Sequence, residues 1–423
     1  MEAKHTPLHN WHMASSAKMA IFGGYHMPVW YEAGAKQEHL AVLTAAGLFD
    51  TSHMALVTTS GPGARDLLQR CFTNDMSRCM GAGKKPLKTG RCIYGAFLDE
   101  AGHVMDDAIV FYLAEQRYLI VVNAGMGGAI AGHLTHCARD FPTVHMEDLT
   151  DRVAKIDLQG PASAEILIDL LDDGQRVLTD MPYFSFKGHF DPAAQGGNAV
   201  RLAGGIPILL SRTGYTGEFG FEIFIAPDQA RRLWAALLSE GQARGLLPCG
   251  LAARDSLRTG AVLPLSHQDI GPWPFVHHPW PFALPYDDAG IGFTKDFIGS
   301  AALLKADATR HTLPFAGYDL RKITADNNAQ VLDGEGKSIG TVLTCATDMG
   351  IDRIDGRIVS ITSPDRPDGF TPRGLCCGFL FADTHLPPQS EVWLKDHRRT
   401  VKVEIVKDIR PNRTARRPIH TML

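Results

Sequence analysis

Two short segments carry polar residues whose types and spacing suit ligand binding. The first, residues 213–222, has three glycines and two glutamates in a turn that leads into an apolar strand. Alternation along this strand places Glu222 on the face opposite Phe221, and a carboxylate there is costly to bury unless its oxygens are paired. The second segment, residues 249–258, offers a partner, because Arg254 lies on the apolar side of a predicted short helix. Together the segments predict a recessed site for a polar heterocycle, although a structural ion pair between Glu222 and Arg254 would give the same pattern.

The adjacent aspartates Asp106 and Asp107 are the second candidates for chemistry. They follow the turn of a predicted hairpin whose strands cover 92–98 and 103–113. Counting back from that turn places Tyr94 directly opposite Asp107, and cross-strand partners share a face. Burial beside apolar neighbours would raise the pKa of this carboxyl group, which could then handle a proton or stabilise a developing positive charge. The alternative is that both aspartates lie in water at the mouth of the hairpin.

The elements that position these residues repeat one pattern, a strand followed by a Gly-Pro pair and a helix. The two copies are the strand over 48–57 with Gly61-Pro62 and the strand over 153–159 with Gly160-Pro161. A helix over 36–47, ended by Gly47, precedes the first copy. We predict an α+β fold in which two related α/β halves each form a sheet with helices on one face.

The C-terminal part of the chain has a different character. Residues 272–285 are rich in proline and aromatic residues, so they cannot form regular structure. After a predicted helix near 299–305, a strand-rich sequence with glycine turns favours a small β-barrel. We therefore predict two domains, a ligand-binding region over residues 1–305 and a C-terminal β-barrel over residues 306–423.

Composition argues against several classes of function. The chain has 423 residues and a formal net charge of −4, with lysine and arginine spread along it, which argues against nucleic acid as a partner. The sequence has no stretch of about eighteen apolar residues, so we predict no membrane span. The first residues lack the apolar core of a secretion signal, and we therefore expect the protein to be located in the cytoplasm of a bacterium. The histidine sets His133/His136 and His5/His9/His12 lack a third ligand on an ordered element, so we predict no metal site.

A series of motifs along most of the chain resembles the glycine cleavage system T protein family, the tetrahydrofolate-dependent aminomethyltransferases. Besides the two opening segments, they are His5-Thr-Pro-Leu8, Phe22-Gly-Gly-Tyr-His-Met-Pro28, Gly47-Leu-Phe-Asp-Thr-Ser-His-Met54, Thr73-Asn-Asp75, Asp106-Asp107, Val121-Val-Asn123, Gly160-Pro161 and Lys295-Asp-Phe-Ile-Gly299. They occur in the order found in the family, which chance similarity does not explain.

The resemblance implies roles for five residues. It makes Asp107 the catalytic carboxylate beside the folate, and it makes Tyr94 and Asn123 cofactor contacts. It also implies that Glu222 binds the pterin ring and that Arg254 completes the site. A pterin's amino group and ring N–H form a pair of donors that one carboxylate can accept.

The implied reaction moves an aminomethyl group from the lipoyl arm of the carrier H protein onto tetrahydrofolate, releasing ammonia and forming methylenetetrahydrofolate. Its partners would be that carrier and a small-molecule folate, with no nucleic acid and no membrane. A basic loop over residues 84–91 could receive an acidic carrier or a polyglutamate tail, or could simply be solvated.

The chain departs from the family pattern on the side expected to face the one-carbon donor. Tyr25 replaces the usual tryptophan, and the aromatic segment 273–280 stands where a short linker is usual. A family stretch in the C-terminal domain has become residues 343–350. A folate-dependent demethylase of a methylated small molecule therefore stays open as an alternative. A folate-binding assembly factor without enzyme activity is disfavoured, because the Lys-Gly-Cys-Tyr motif of that related family is absent.

Overall fold

The structure is a computed structural model that describes residues 2–81, 83–191, 199–307, 309–326 and 328–423. The α-helices are α1 (His9–Ala14), α2 (Gly34–Thr44), α3 (Ala64–Cys71), α4 (Gly127–Cys137), α5 (Ser163–Leu170), α6 (Gly174–Leu178), α7 (Ala230–Gly241), α8 (Leu251–Gly260) and α9 (Ser300–Leu303). Within the described ranges, no helix has the length and apolar character needed to cross a membrane.

The strands fall into two large sheets, two small hairpins and a barrel. In chain order they are β1 (Lys18–Phe22), β2 (Tyr25–Trp30), β3 (Ala46–Asp50), β4 (Ala55–Ser60), β5 (Cys92–Leu98), β6 (Val104–Ala114), β7 (Arg117–Val122), β8 (His145–Asp148), β9 (Ala154–Gln159), β10 (Phe186–Gly188), β11 (Val200–Leu202), β12 (Ile206–Ser211), β13 (Gly220–Ile225), β14 (Leu246–Pro248), β15 (His311–Gly317), β16 (Gln330–Leu332), β17 (Ser338–Asp348), β18 (Ile351–Ile354), β19 (Arg357–Ser360), β20 (Leu375–Ala382), β21 (Glu391–Lys395) and β22 (Thr400–Ile405).

The two large sheets are built in the same way. One has the order β5-β6-β7-β4-β8, and the other has β10-β12-β13-β9-β3-β14 with β11 paired to β12. In each, a central strand that precedes a Gly-Pro helix lies beside an antiparallel hairpin: β4 pairs with β7, and β9 pairs with β13. The predicted α+β fold with two related α/β halves is confirmed.

The two sheets pack against each other through one face, while helices cover the opposite faces. Helices α3 and α4 contribute to the core beside the first sheet, and α5 and α7 contribute to the core beside the second. Between the sheets lies a smaller core in which Phe111 and Phe224 meet with ring centroids 5.7 Å apart. Strand alternation therefore directs Glu222, which shares the face of Phe224, toward this inter-sheet region.

The prediction of one strand over 48–57 was wrong. The segment forms β3 and β4, which belong to different sheets, and residues 51–54 cross between them. Gly47 lies inside β3 rather than ending a helix. A Cβ atom there would lie 2.4 Å from Val42 Cγ2 and 2.8 Å from Cys249 Sγ, so close packing explains this glycine. A glycine after a helical segment resembles a helix C-terminal signal, but at this position tertiary packing is the reason for the glycine.

The C-terminal part contains the predicted barrel. Strands β15, β20, β17, β16, β21 and β22 close on themselves in that order. The interior is filled by fully buried apolar side chains such as Phe315, Leu380 and Val403. This confirms the predicted small β-barrel.

Candidate active site

Asp107 lies on the face of β6 that is turned toward the second sheet, and two side chains hold it in place. Tyr94 donates its hydroxyl to Oδ2 at 2.9 Å, and Asn123 donates Nδ2 to Oδ1 at 2.6 Å. Burial, followed by the charge of Asp106, raises the pKa of Asp107 to about 6, even though these donors act to lower it. A carboxyl group in this range can exchange a proton near neutral pH.

The register that brings Tyr94 to Asp107 differs from the predicted one. Tyr94 pairs with Ile109, and Ala96 lies opposite Asp107. The turn is shifted by one residue, since Asp99 N donates to His103 O at 3.0 Å. A second one-residue shift follows at a bulge beside Phe97. A single one-residue shift would place Tyr94 on the opposite face of the sheet from Asp107. Two such shifts return Tyr94 to the face of Asp107, but two residues away in the register, so the two side chains meet diagonally.

Asp106 is fully buried and also takes part in the site, although strand alternation places it on the opposite face of β6 from Asp107. Its carboxylate accepts Asn123 N at 2.8 Å, Asn123 Nδ2 at 2.8 Å and Ser266 Oγ at 2.9 Å. Because Asn123 Nδ2 lies within reach of both aspartates, Asp106 positions the amide that holds Asp107. Alternation alone did not predict this role, which depends on where β7 ends.

Glu222 lies on β13 with both oxygens engaged. Lys155 Nζ donates to Oε1 at 2.5 Å, and Thr213 Oγ1 donates to Oε2 at 2.5 Å. The alternative interpretation, a structural ion pair between Glu222 and Arg254, is wrong, because the two side chains have other partners. Arg254 instead donates to Asp157 Oδ2 at 2.9 Å.

Arg254 projects from α8 beside an aromatic ring. Its guanidinium carbon lies 4.9 Å from the centroid of Tyr215, and 13% of its side chain is exposed. Asp157 is buried between Arg254 and Lys155, which binds Oδ1 at 2.6 Å. Burial acts to raise the pKa of Asp157, but the charges of Lys155 and Arg254 hold it below its ordinary value.

Sequence reasoning missed Lys155 and Asp157, although a signal for them exists. They alternate with Ile156 along β9, whose other residues are mostly apolar. Two opposite charges on one face of a buried strand require partners, and Asp157 lies directly opposite Glu222 in the register. Which partners they find depends on the pairing of β9 with β13.

His53 is another residue that sequence reasoning missed. It lies in the crossing between β3 and β4 and is 2% exposed, and its Nδ1 has no hydrogen-bond partner among the described residues. Burial, followed by the charge of Arg254, lowers the pKa of His53 to about 4, so the ring is neutral near pH 7. A neutral imidazole at the cleft wall can accept or donate a hydrogen bond to a ligand.

All five predicted site residues line one cleft between the two sheets. Its volume is about 1610 Å³, and Tyr94, Asp107, Asn123, Glu222 and Arg254 contribute to its walls. The cleft is larger than the roughly 300–1,000 Å³ of an ordinary small-molecule pocket.

The aromatic segment 272–285 divides into two parts with different surroundings. Trp273 stacks on Phe381 of the barrel with ring centroids 4.3 Å apart, so the first part covers the junction with the barrel. In the second part, Trp280 and Phe282 line the cleft beside Tyr94, at centroid distances of 4.8 and 6.0 Å. The first part of the segment therefore packs against the barrel, and the second part forms part of the cleft wall.

The basic loop over residues 84–91 is partly engaged within the chain. Lys84 forms an ion pair with Asp288, and Arg91 donates to Tyr183 O at 3.0 Å. Lys85 and Lys88 are exposed. The loop therefore offers fewer solvent-facing charges to a partner than its composition predicts.

Comparison with known proteins gives consistent matches. The family model described as the GCVT N-terminal domain matches residues 8–273. An aminomethyltransferase of Desulforamulus reducens is 35% identical over 354 residues, which cover 81% of this chain and 85% of the relative. An aminomethyltransferase of Symbiobacterium thermophilum is 37% identical over 350 residues, with 81% and 85% covered. The crystal structure of the glycine cleavage system aminomethyltransferase T from Bartonella henselae matches with a TM-score of 0.73 at 28% identity, covering 95% of this chain and 96% of that chain.

Proposed function

Since this chain belongs to the aminomethyltransferase family of the glycine cleavage system, a family of transferases, we propose that it moves an aminomethyl group from the lipoyl arm of a carrier H protein to tetrahydrofolate. The reaction would release ammonia and form methylenetetrahydrofolate. A cytoplasmic location stays a prediction from the sequence. The observation that carries the proposal is the position of Asp107, held by Tyr94 and Asn123 on one cleft wall and facing a second wall that presents Glu222 and Arg254.

The residues of the second wall fit a reduced pterin. Glu222 accepts from Lys155 and Thr213, but a carboxylate offers about four acceptor positions, so it can also receive a pair of donors from the ring. Arg254 and the neutral His53 add polar contacts, and Tyr94 adds an aromatic face. Tetrahydrofolate supplies the nitrogen that accepts the carbon. The chain therefore needs no nucleophile of its own.

The role proposed for Asp107 follows from its surroundings. As a carboxylate, it stabilises positive charge that develops on the transferred carbon, and with a pKa of about 6 it can also take up one proton. Tyr94 and Asn123 hold both oxygens in place, so little reorganisation is needed when charge develops. Asp106 acts through Asn123 and is a positioning residue.

A second candidate function, folate-dependent demethylation of a small molecule, has one specific observation in its favour. Trp280 and Phe282 place aromatic rings beside Tyr94, whose hydroxyl donates to Asp107. Aromatic faces next to a carboxylate suit a methylated cation. The two candidate functions share the proposed folate-binding residues and differ in the molecule that donates the carbon.

The experiment that separates them uses the folate product as its readout. The purified chain is incubated with tetrahydrofolate and either an aminomethyl-loaded H protein or a panel of methylated ammonium and sulfonium compounds, which release a neutral amine or thioether when the methyl group is transferred. We expect methylenetetrahydrofolate and ammonia with the carrier alone, and loss of both products in Asp107→Asn. Methyltetrahydrofolate from a methylated donor, with no reaction of the carrier, would replace the first proposal by the second.

A further inference from the structure

Three histidines lie together outside the cleft, where the N-terminal segment meets the hairpin of β1 and β2. His5 precedes α1, His9 begins it, and His26 lies on β2. One ring nitrogen from each lies within 4.8 Å of the others. His9 Nε2 and His26 Nδ1 are 3.0 Å apart, and the rings of His5 and His9 stack with centroids 3.7 Å apart. We propose that His5, His9 and His26 bind a divalent transition-metal ion, with Zn²⁺ as the ion of best fit.

The spacing of the nitrogens is close to what such an ion requires. Imidazole nitrogens bind Zn²⁺ at about 2.0–2.1 Å, so two tetrahedral ligands lie about 3.3 Å apart. His9 and His26, whose ring nitrogens share a hydrogen bond, are already near this separation, and a bound ion would take the place of the shared proton. His5 is exposed, so its ring can turn toward the ion without disturbing a packed core, and the ion can enter from solvent.

Backbone pairing holds the three ligands in one place. Lys4 N donates to Gly24 O at 2.9 Å, and His26 N donates to Lys4 O at 2.9 Å. The segment that carries His5 is therefore fixed along β2. His5 lies outside the helix that His9 begins, and the stacking of their rings places both beside the same spot.

The third ligand is not the histidine that sequence spacing suggests. His12 turns inward, where Nε2 lies 2.9 Å from Asp50 Oδ2 and Tyr31 Oη lies 2.8 Å from Nδ1. His26, which is distant in sequence, takes its place on an ordered strand. The prediction of no metal site rested on the absence of such a ligand, and the fold supplies one.

All three candidate ligands are imidazoles, which bind a metal ion as neutral rings. Imidazole ligands suit zinc, copper and nickel more than calcium or magnesium. Three ligands leave a fourth position for water.

The bound ion would connect the N-terminal segment to one wall of the cleft. His26 lies opposite Ile21 in the hairpin, and Ile21 and Phe22 line the cleft mouth. Crosslinking His5 and His9 to His26 would restrict movement of this hairpin. The consequence to expect is structural, namely higher thermal stability of the loaded chain.

The test is calorimetric titration of ZnCl₂ into the full chain, purified without a histidine tag and stripped with a chelator. We expect one ion per chain and a rise in Tm that a chelator reverses. His26→Gln should weaken binding at least ~10-fold, because loss of even an outer partner of a ligand costs that much. His145→Gln, which changes an exposed histidine outside the cluster, is the matched control and should bind as the unaltered chain does.

Two outcomes would overturn the proposal. One is that the unaltered chain takes up no Zn²⁺ in excess metal. The other is that His26→Gln binds as tightly as the control, which would place the ion elsewhere, for example at the buried set of Cys71, His133 and Cys137. Equal Tm values of both variants in chelator show that folding is intact, and visible bands of the Co²⁺-loaded chain report whether the ligands are tetrahedral.

Discussion

Asp107 is the residue on which the proposed chemistry depends most. Asp107→Asn keeps the shape and can still accept from Asn123 and contact Tyr94, but it removes the charge and the proton site. Loss of general acid–base function typically costs ~10²–10⁴-fold in rate, so we expect kcat to fall on that scale while folate affinity changes little. Single-turnover measurement of the folate product with loaded carrier would check this.

Asp106→Asn is the matched control for that variant. Asp106 holds Asn123 through its backbone and side-chain amides, so its loss should lower stability and reduce the rate far less than the change at Asp107 does. If Asp106→Asn were the inactive variant and Asp107→Asn stayed active, the catalytic assignment would be wrong.

The raised pKa of Asp107 also predicts how stability depends on pH. The folded-state pKa of about 6 lies above the ordinary 3.8. The folded chain therefore holds a proton that the unfolded chain loses between these values, so this contribution to stability declines as pH rises through them. A difference of about two in pKa corresponds to at most about 3 kcal/mol. Asp107→Asn should accordingly be more stable than the unaltered chain at pH 8, and their difference should shrink toward pH 4 in urea unfolding. A difference independent of pH would mean that Asp107 has an ordinary pKa.

Glu222 tests the proposed pterin wall. Glu222→Gln keeps an acceptor for Lys155 but removes the charge that would receive two pterin donors. A hydrogen bond to a charged group contributes about 1.5–3 kcal/mol, so we expect tetrahydrofolate to bind roughly 10–100-fold more weakly by calorimetry. The contact exists in ground and transition states alike, so kcat at saturation should stay near its original value. Unchanged affinity would reduce Glu222 to a structural partner of Lys155.

At the level of elements, the aromatic segment offers two tryptophans with different roles. Trp280→Ala removes a ring packed edge-on against Tyr94 and should lower kcat/KM for the donor by about 3–10-fold, as an aromatic pair is worth about 0.5–1.5 kcal/mol. Trp273→Ala breaks the stack on Phe381 and should lower Tm with little change in kcat/KM. Thermal unfolding and steady-state rates of both variants would show whether the effects on activity and on stability separate in this way. Full activity of Trp280→Ala would mean that Trp280 does not contribute to the donor site.

For the whole molecule, a buried ionic network joins the barrel to α2 and to the segment that leads into β13 of the second sheet. Arg410 lies 3.1 Å from Glu218 and 2.5 Å from Asp348, and His39 on α2 lies 3.0 Å from Asp348. Burial opposes ionisation of Asp348, but the charge of Arg410 holds its pKa well below the ordinary value. The network therefore depends on both partners staying charged.

Removal of that arginine should be costly. Arg410→Met leaves Glu218 and Asp348 buried without their cation, and breaking a buried pair in this way costs about 3–5 kcal/mol. Chemical unfolding should show this loss, while Arg399→Met at an exposed position should stay within about 0.5 kcal/mol of the original stability. Equal stability of the two variants would mean that the network contributes nothing to docking of the barrel.

The division of the chain into two domains, residues 1–305 and 306–423, stays a prediction.

Local patterns in the sequence predicted the elements and several of the residues that meet in the cleft. Alternation assigned the two faces of β13, turn residues located the hairpin of β5 and β6, and the motif series predicted the family. These features depend on neighbours a few residues away, so they can be read from the chain itself.

The partners of the buried charges could not be predicted in the same way. Lys155, rather than Arg254, meets Glu222, and two compensating register shifts bring Tyr94 to Asp107. The strand predicted over 48–57 divides between two sheets, and His26 joins His5 and His9 across the hairpin. Each outcome depends on which strands pair, and pairing is decided by burial and hydrogen bonding summed over segments far apart in sequence. The sequence shows that a buried charged residue needs a partner, but the packing of the folded chain determines which residue that partner is.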